Sequence, residues 1–334
     1  MKVWHIGKQE GIKSLTQSED TPPIAGFGEV VIAMKAFAMN HRDLLIVNNR
    51  YGGPKPENRI PISDGTGEII SVGQNVKNFK VGDKVCPTHF VNWTDGDFYP
   101  NYFQNDLGNT SDGLLAERVV LPEKCLVKAA NSLSDIENAT LPVAGATVWA
   151  CLETLGQIKA GDTVLMLGTG GVSVFALQLA KINGARVVIT SSSNNKLSQM
   201  SKLGADFTVN YKENPDWEKL VLKETGGVDI VVETGGIGTL EQSIACCNPN
   251  GRIGFIGALA GRDKYPNLGG LLFKNLILKG ITSGSRNMLN EFIKACEANT
   301  FKPIIDKVFK FEDTPDAYRY LASGSHVGKV VIEL

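Results

Sequence analysis

The sequence predicts an α/β protein of two domains, one built on a doubly wound parallel sheet and one on an irregular antiparallel β-barrel. The first observation is length, because 334 residues are too many for one small core and suit two ordinary domains. The second is a change of pattern near Pro142. Before it, short apolar runs alternate with turn residues, and after it apolar strands alternate with amphipathic helices.

The first part of the chain has the pattern of a barrel of short strands. Its apolar runs are separated by Gly, Pro and Asn and lie at Glu29–Phe37, Gly67–Val72, Val81–Cys86 and Leu114–Leu121. Residues 87–112 are polar with scattered aromatic side chains. This stretch is too long and hydrophilic for a core connection, so it predicts a surface lobe or lid.

The second part alternates strands with helices. Thr163–Leu167 is a fully apolar strand, Val172–Asn183 an amphipathic helix and Ala185–Thr190 a second strand. Further apolar strands follow at Val228–Glu233, Arg252–Ile256 and Leu276–Thr282. Continuous β-branched runs divided by helices indicate a parallel sheet covered on both faces.

The last segment predicts a discontinuous first domain. A helix at Met288–Ala298 and a strand at Gly328–Leu334 follow the parallel-sheet pattern, and we expect them to return to the barrel. The expected division is therefore 1–125 with 284–334 for the barrel, and 126–283 for the parallel-sheet domain.

Composition narrows the classes of partner and site. Lys and Arg number 34 and Asp and Glu 35, so no basic surplus favours nucleic acid. No apolar run is long enough for a signal peptide or a bilayer span, which predicts a cytoplasmic protein that does not bind membranes. The 6 cysteines lack CxxC spacing and have no closely spaced histidine partners, which argues against disulfides and zinc-finger-like sites.

A glycine-rich turn joins the first apolar strand to its helix and reads Gly168-Thr169-Gly170-Gly171-Val172-Ser173. Gly168 permits the tight turn, Gly170 lets backbone N–H groups approach a pyrophosphate, and the helix N-terminus supplies partial positive charge. Ser173 stands where a third glycine is usual. An ordinary βα turn is the alternative, but the strand, turn, helix and second strand favour a dinucleotide-binding Rossmann domain.

The end of the second strand predicts which dinucleotide binds. NAD enzymes usually place Asp or Glu there, and a carboxylate would repel a 2′-phosphate. Here Ser191, Ser192 and Lys196 follow the strand without an acid. This favours NADP(H) over NAD, the alternative being a solvated serine-rich loop indifferent to the cofactor.

Several short motifs occur in a specific order and spacing. They are Asn40–Asp43, Ser63–Glu68, Val81–Val85, Leu141–Thr147, the Gly168 turn, Lys202–Asp206, Val209–Tyr211, Thr234–Gly236 and Gly328–Val331. Together they resemble the medium-chain dehydrogenase/reductase superfamily over nearly the whole chain, in particular its zinc-free quinone oxidoreductase-like branch. The resemblance implies a chaperonin-10-like barrel joined to a Rossmann domain, an active site in the cleft between them, and a homodimer with the two parallel sheets joined edge to edge.

The resemblance also implies a set of cofactor contacts. Besides the Gly168–Val172 turn, the residues that it points to are Thr147, Ser191, Ser192, Lys196, Tyr211, Thr234, Gly235, Gly257 and Lys329. The positions that match the three catalytic zinc ligands of alcohol dehydrogenases are Asn40, Ser63 and Val143. An amide, a hydroxyl and an aliphatic side chain cannot form such a site, so we expect no metal.

Without zinc, hydrogen-bond donors must polarise a substrate oxygen. The resemblance points to Asn40 and to Tyr51 in the Arg50–Gly53 turn, and His41 could donate a proton. The plainer alternatives are a helix-cap amide, a packing aromatic and a solvated histidine. Aromatic residues of the polar lobe could line an apolar substrate pocket or only pack within the lobe; they are Trp93, Phe98, Tyr99, Tyr102 and Phe103.

These features predict an NADPH-dependent reductase of a small molecule with an activated carbonyl or carbon–carbon double bond, such as a quinone or enal. A second enzyme hypothesis is an alcohol dehydrogenase that works without metal. A third hypothesis, from a different class, is a module that senses NADP(H) and catalyses nothing.

Overall fold

The computed structural model describes residues 1–52, 56–261 and 265–334. These residues divide into two compact units, the first formed by Met1–Ala146 with Ser285–Leu334 and the second by Thr147–Gly284. The strands, in chain order, are β1 Lys2–His5, β2 Thr16–Glu19, β3 Glu29–Met39, β4 Asp64–Val72, β5 Lys84–Pro87, β6 Arg118–Pro122, β7 Leu126–Lys128, β8 Thr163–Leu167, β9 Arg186–Ser191, β10 Phe207–Asn210, β11 Val228–Glu233, β12 Cys247–Phe255, β13 Ile277–Gly280, β14 Ile305–Lys310 and β15 Lys329–Glu333.

The α-helices in the described part of the chain are α1 His41–Val47, α2 Asp135–Ala139, α3 Pro142–Trp149, α4 Gly171–Ile182, α5 Asn194–Lys202, α6 Trp217–Thr225, α7 Ile237–Cys246, α8 Gly269–Phe273, α9 Arg286–Ala298 and α10 Thr314–Ser323. A π-helical turn, Ala150–Leu155, continues α3. Within the described ranges no helix is both long enough and apolar enough to cross a membrane.

The first unit is built on a mainly antiparallel sheet in the order β14-β15-β3-β4-β5-β7, with β6 also paired to β3. The long strand β3 is central, and its register with β4 shifts at two places, which bends the sheet as bulges do. Its inward side chains, among them Ile32, Met34 and Phe37, lie in one large apolar core. The predicted antiparallel pattern of the first part of the chain is therefore present.

Residues 126–146 lie in the first unit, although the sequence assigned them to the second. The reason is strand pairing, since β7 pairs with β5 of the antiparallel sheet. Helix α2 packs against the same sheet, because Ala139 lies in a buried cluster with Ala36, Ala38 and Val331. The division expected at residue 125 therefore differs from the observed one because this pairing is long-range.

The lobe of residues 87–112 has an aromatic core of its own. Phe90 and Trp93 are buried. The Phe98 ring lies 5.5 Å from the Phe90 ring and 5.1 Å from the Trp93 ring, and Tyr102 stacks on Trp93. These contacts show that the rings pack on one another within the lobe.

The second unit is a parallel sheet in the order β10-β9-β8-β11-β12-β13. Counted from β8, this is the 3-2-1-4-5-6 order of a Rossmann fold. The predicted strands Thr163–Leu167 and Val228–Glu233 are confirmed residue for residue. The strand order reverses between β8 and β11, and at such a switch point the carboxyl ends of the strands bind ligands.

Candidate functional site

The glycine-rich turn lies at the carboxyl end of β8, where the sequence placed it. Gly168 has a φ of +79°, a left-handed value that glycine adopts without strain. Gly170 is the N-cap of α4, and a Cβ added at either glycine would meet no atom within 4 Å. The backbone of this turn is thus open to a ligand. Thr169 lies between the two glycines, and Gly171 and Val172 are the first two residues of α4.

Ser173 takes the place of the third glycine in the fingerprint. Its hydroxyl donates a 2.8 Å hydrogen bond to the carbonyl oxygen of Leu167, and its side chain is buried. This bond ties the first turn of α4 to the end of β8. The serine therefore allows the close approach of helix and strand that a glycine usually provides.

A second turn, after β11, is held by a buried carboxylate. Glu233 is fully buried and accepts hydrogen bonds from the N–H groups of Gly235 and Gly236, at 2.8 and 2.9 Å, and from the hydroxyls of Thr239 and Ser243. Burial raises the pKa of Glu233 despite these four donors. Sequence reasoning assigned this residue no role.

The predicted residue Thr234 belongs to that turn, and its side chain contacts the backbone just before the glycine-rich turn. Its hydroxyl donates to the carbonyl oxygen of Leu167 at 2.7 Å. Gly257, in the loop after β12, lies against it, since an added Cβ would come within 2.4 Å of the carbonyl oxygen of Thr234. The structure thus brings Gly168, Thr234, Gly235 and Gly257 to the same edge of the sheet.

Ser191 is the last residue of β9 at this edge, Ser192 follows it, and Lys196 lies in the first turn of α5. Ser191 is buried, and its carbonyl oxygen accepts from the N–H of Tyr211 at 3.1 Å, so Tyr211 lies beside it. Ser192 and Lys196 are half-buried. Thr147, in α3, is buried, and its hydroxyl lies 3.5 Å from that of Ser283, which follows the carboxyl end of β13.

An acid that sequence reasoning missed lies near the end of β9. The Glu213 carboxylate accepts from the side-chain amides of Asn194, at 2.6 Å, and Asn210, at 3.0 Å. Glu213 comes from the loop after β10, and the parallel pairing of β9 with β10 brings the loops after both strands together. No signal in the segment after β9 could have indicated it, because the acid lies 22 positions beyond Ser191.

In the first unit Asn40 is the N-cap of α1, and its side chain is held by two charged groups. Its Nδ2 donates to Oδ2 of Asp64 at 2.8 Å, and its Oδ1 accepts from Nζ of Lys329 at 2.7 Å. The second hydrogen of Nδ2 has no partner within the described ranges, and the residue is half-buried. The amide therefore retains one donor for a ligand.

Asp64 and Lys329 form a buried ion pair, with 0% and 2% of their side chains exposed. Burial raises the pKa of Asp64, opposed by Lys329 and by the hydrogen bonds that it accepts, and burial lowers the pKa of Lys329 against the pull of Asp64 and Asp43. The other oxygen of Asp64 accepts from the N–H of Val143 at 3.0 Å. Lys329, which the resemblance suggested as a cofactor contact, thus lies in the first unit with its ammonium group on Asn40.

Asp43 closes the first turn of α1. Its Oδ2 accepts from the backbone N–H of Asn40 at 2.7 Å, and its Oδ1 has no partner among the residues that the structure describes. Burial raises the pKa of Asp43 to about 6, although Arg42 and the Asn40 N–H lower it. The N-cap is therefore fixed by a carboxylate at the third helical position, as in a capping box.

Arg42 connects α1 to the lobe. Its guanidinium binds both oxygens of Asp106 at 2.6 and 2.7 Å and the Ser63 hydroxyl at 2.8 Å, all of them buried. Burial alone would lower the pKa of Arg42, but Asp106 raises it, so the arginine stays charged. The guanidinium also lies over the ring of Tyr51, 5.2 Å from its centroid.

The remaining predicted catalytic residues fall into different surroundings. Tyr51 is half-buried against Arg42, and burial raises the pKa of its hydroxyl. His41 is an exposed residue at the start of α1, although nearby protein atoms lower the pKa of its imidazole by desolvation. Gly53, the last residue of the predicted Arg50–Gly53 turn, lies outside the described residues.

The positions that correspond to zinc ligands do not carry a zinc donor set. The Asn40 amide is bound to Asp64 and Lys329, and the Ser63 hydroxyl accepts from Arg42. Val143 has no side-chain donor atom, and two cationic side chains contact the other two positions. In the described part of the chain no group of three or more His, Cys, Asp or Glu side chains could hold a metal.

Comparison with known proteins agrees with the two-unit fold. Residues 26–131 match the family model described as alcohol dehydrogenase GroES-like domain, and residues 171–298 match the one described as zinc-binding dehydrogenase. A zinc-type alcohol dehydrogenase-like protein of Schizosaccharomyces pombe is 43% identical over 315 residues, 92% of this chain and 91% of that protein. The 2-methylene-furan-3-one reductase of Solanum lycopersicum is 31% identical over 342 residues, 99% of this chain and 79% of the relative.

A solved structure of an NAD-dependent alcohol dehydrogenase is similar over the whole chain. It has a TM-score of 0.90 and 31% identity, and the match covers 100% of both chains. The predicted fold class, a GroES-like unit with a Rossmann unit, is confirmed by these matches and by the strand order.

Proposed function

Because the chain belongs to the medium-chain dehydrogenase/reductase superfamily, an oxidoreductase family that uses a nicotinamide cofactor, we propose that it is an NADP(H)-dependent, zinc-independent reductase of activated carbonyl or carbon–carbon double bonds. The observation that carries the proposal is the Asn40 amide. It is held between Lys329 and Asp64 at the position of a zinc ligand, with one hydrogen left to donate.

The second unit has the features that suit a nicotinamide dinucleotide. The open backbone at Gly168 and Gly170 lies at a helix N-terminus, where phosphate groups bind. Ser191, Ser192 and Lys196 support NADP(H), because hydroxyls and an ammonium suit a 2′-phosphate. Glu213, from the loop after the neighbouring strand β10, has a carboxylate that already accepts from Asn194 and Asn210.

Bound NADP(H) supplies the hydride in this chemistry. When hydride reaches an electron-poor carbon, negative charge gathers on the substrate oxygen. We assign the second Nδ2 hydrogen of Asn40 to that oxygen, with the Tyr51 hydroxyl as a further donor. A preorganised donor of this kind accelerates such a step by about a hundred- to a thousandfold.

The names of two relatives support different substrates. One is a reductase of a 2-methylene-furan-3-one, in which a carbon–carbon double bond is conjugated with a ketone, and this favours an activated double bond. The other is an NAD-dependent alcohol dehydrogenase, which favours the alcohol as substrate. The positions of Asn40, Ser63 and Val143 lack a metal donor set, which argues against a zinc-dependent dehydrogenase. Between the two zinc-independent hypotheses we favour the reductase, on the likeness to the 2-methylene-furan-3-one reductase.

We also propose a homodimer. The edge strand β13 is exposed along its length, and α8 before it carries two of the most exposed apolar side chains of the unit, Leu272 at 80% and Phe273 at 87%. An unpaired edge beside exposed apolar residues is a surface on which a second copy can pair.

The test is NADPH consumption with a panel of quinones, enals, ketones and aldehydes, and NADP⁺ reduction with alcohols. We expect turnover of a quinone or enal. Asn40→Ala should then lower kcat about ten- to a thousandfold while the Kd for NADPH stays near that of the wild type. Asn299→Ala, which removes an exposed amide at the C-cap of α9, is the matched control and should change neither value.

Other results would reject the proposal in distinct ways. Turnover of alcohols alone would indicate the dehydrogenase, and NADPH binding without turnover of any compound would indicate the sensor. A folded Asn40→Ala variant with the wild-type rate would show that another group polarises the substrate.

A further inference from the structure

A buried lysine lies directly behind the Asn40 amide. Nζ of Lys329 is 2.7 Å from Oδ1 of Asn40 and 3.4 Å from Oδ2 of Asp64, and the same Asp64 oxygen accepts from Nδ2 of Asn40. The three side chains therefore form a closed triangle of hydrogen bonds. Lysine and aspartate are almost completely buried, whereas asparagine is partly accessible.

The two charged groups determine which way the amide points. An ammonium group only donates and an ionised carboxylate only accepts, so Lys329 binds the amide oxygen and Asp64 the amide nitrogen. A flip of the Asn40 side chain would set its NH₂ against the ammonium and its oxygen against the carboxylate. Asp64 is itself held from the other side by the N–H of Val143.

The distances indicate that the lysine acts on the amide as well as on the carboxylate. If Lys329 only neutralised Asp64, its shortest contact would be with that residue, but its contact with Asn40 is shorter by 0.7 Å. A cation on the amide oxygen withdraws electron density from the nitrogen. The remaining N–H becomes a stronger donor, as in hydrogen-bond chains whose members polarise one another.

We propose that Lys329 is a positioning residue for the reduction, which orients and polarises the Asn40 amide so that its second N–H donates to the substrate oxygen. The inference rests on the proposed function, which assigns that N–H to the substrate. Asp64 completes the arrangement by fixing the other hydrogen. Lys329 itself makes no contact with the substrate in this arrangement.

A purely structural role is the competing explanation, because Lys329 begins β15, which pairs with β3. Removing the lysine alone would also leave Asp64 buried without a counter-charge, which destabilises a fold. Two variants separate these effects. Lys329→Met with Asp64→Asn removes both charges together, and Lys329→Arg keeps the cation.

The experiment measures kcat, KM and the Kd for NADPH in these variants, in Asn40→Ala and in Lys329→Met/Asn40→Ala. Lys307→Met, on the neighbouring strand β14, is the control. We expect Lys329→Met and the charge-neutral double variant to lower kcat by about ten- to a hundredfold at nearly constant Kd for NADPH. Lys329→Arg should recover part of the loss. Adding Lys329→Met to Asn40→Ala should cost nothing more, because both act through one donor.

A second measurement does not depend on turnover. The side-chain NH₂ signals of Asn40 in ¹⁵N-labelled protein, assigned by their loss in Asn40→Ala, should shift in Lys329→Met, and their exchange with solvent should become faster. Lys307→Met should leave them unchanged. Unchanged Asn40 signals in folded Lys329→Met overturn the inference, and so do losses in kcat that multiply in the Asn40→Ala background. If the signals shift as expected but no substrate is turned over by the wild type, the proposed function fails while the orientation of the amide by Lys329 stands.

Discussion

Replacing Asp43 by Asn should change how stability depends on pH. Asp43 is 2% exposed, and burial raises its pKa from 3.8 to about 6, against the opposing effect of Arg42. An asparagine oxygen can still accept from the Asn40 N–H, so the substitution removes the charge and keeps the helix cap. Arg42, Asp64 and Lys329 are the other charged groups that act on this carboxylate.

The sign follows from the direction of the shift. Between pH 3.8 and about 6 the folded state holds a proton that the unfolded state has lost, so stability falls as the pH rises through this window. The shift corresponds to about 3 kcal/mol between pH 3.8 and pH 7. Asp43→Asn should therefore match the wild type near pH 4 and exceed it by about 3 kcal/mol near pH 7.

The assay is the thermal unfolding midpoint of both proteins at several values of pH from 4 to 7.5. A difference of about 3 kcal/mol corresponds to about 4 °C if the whole chain unfolds together and about 7 °C if the first unit unfolds alone. Asp316→Asn, at an exposed carboxylate on α10 that pairs with Arg319, is the control for the loss of one negative charge. A difference between Asp43→Asn and the wild type that is constant across this range would refute the reasoning.

Three further predictions concern the cofactor, the metal and assembly. NADPH should bind more tightly than NADH, and equal affinities in the wild type would contradict this. Ser191→Asp should erase the preference because the new carboxylate repels a 2′-phosphate, whereas Ser198→Asp, at an exposed position of α5, should not. Elemental analysis should find far less than one zinc per chain, and a chelator should leave turnover unchanged. Stoichiometric zinc with chelator-sensitive activity would exclude a zinc-independent reaction. Light scattering should report a dimer. Phe273→Glu should weaken this dimer because the new carboxylate places charge on the apolar patch, whereas Phe27→Glu, in the first unit, should leave it intact. A wild-type monomer at micromolar concentration would contradict assembly through β13.

Local patterns in the sequence determined much of the second unit. The strand Thr163–Leu167 and the glycine turn after it lie where predicted, because a fully apolar run, glycines and an amphipathic helix each specify their conformation over a few residues. The parallel sheet followed from repetition of that pattern. The antiparallel runs of the first unit were located for the same reason, although several of their ends moved by a few residues.

Contacts between residues far apart in sequence were decided only by the tertiary structure. The Glu213 carboxylate reaches Asn194 through the pairing of β10 with β9, and the lobe is tied to α1 by Arg42 and Asp106. Residues 126–146 join the first unit because β7 pairs with β5. In each case the two contacting residues lie on different elements, and the local sequence around one residue carries no information about the other.

The surroundings of Asn40 show this limit most clearly. The sequence singled out Asn40 and Lys329 separately, 289 residues apart, and assigned the lysine to the cofactor. They meet because β15 pairs antiparallel with β3 in the register that sets Val330 opposite Met39, so that Lys329, just before Val330, lies beside Asn40, just after Met39. Strand register depends on the packing of the whole sheet, so the arrangement of Asn40, Asp64 and Lys329 is a property of the tertiary structure alone.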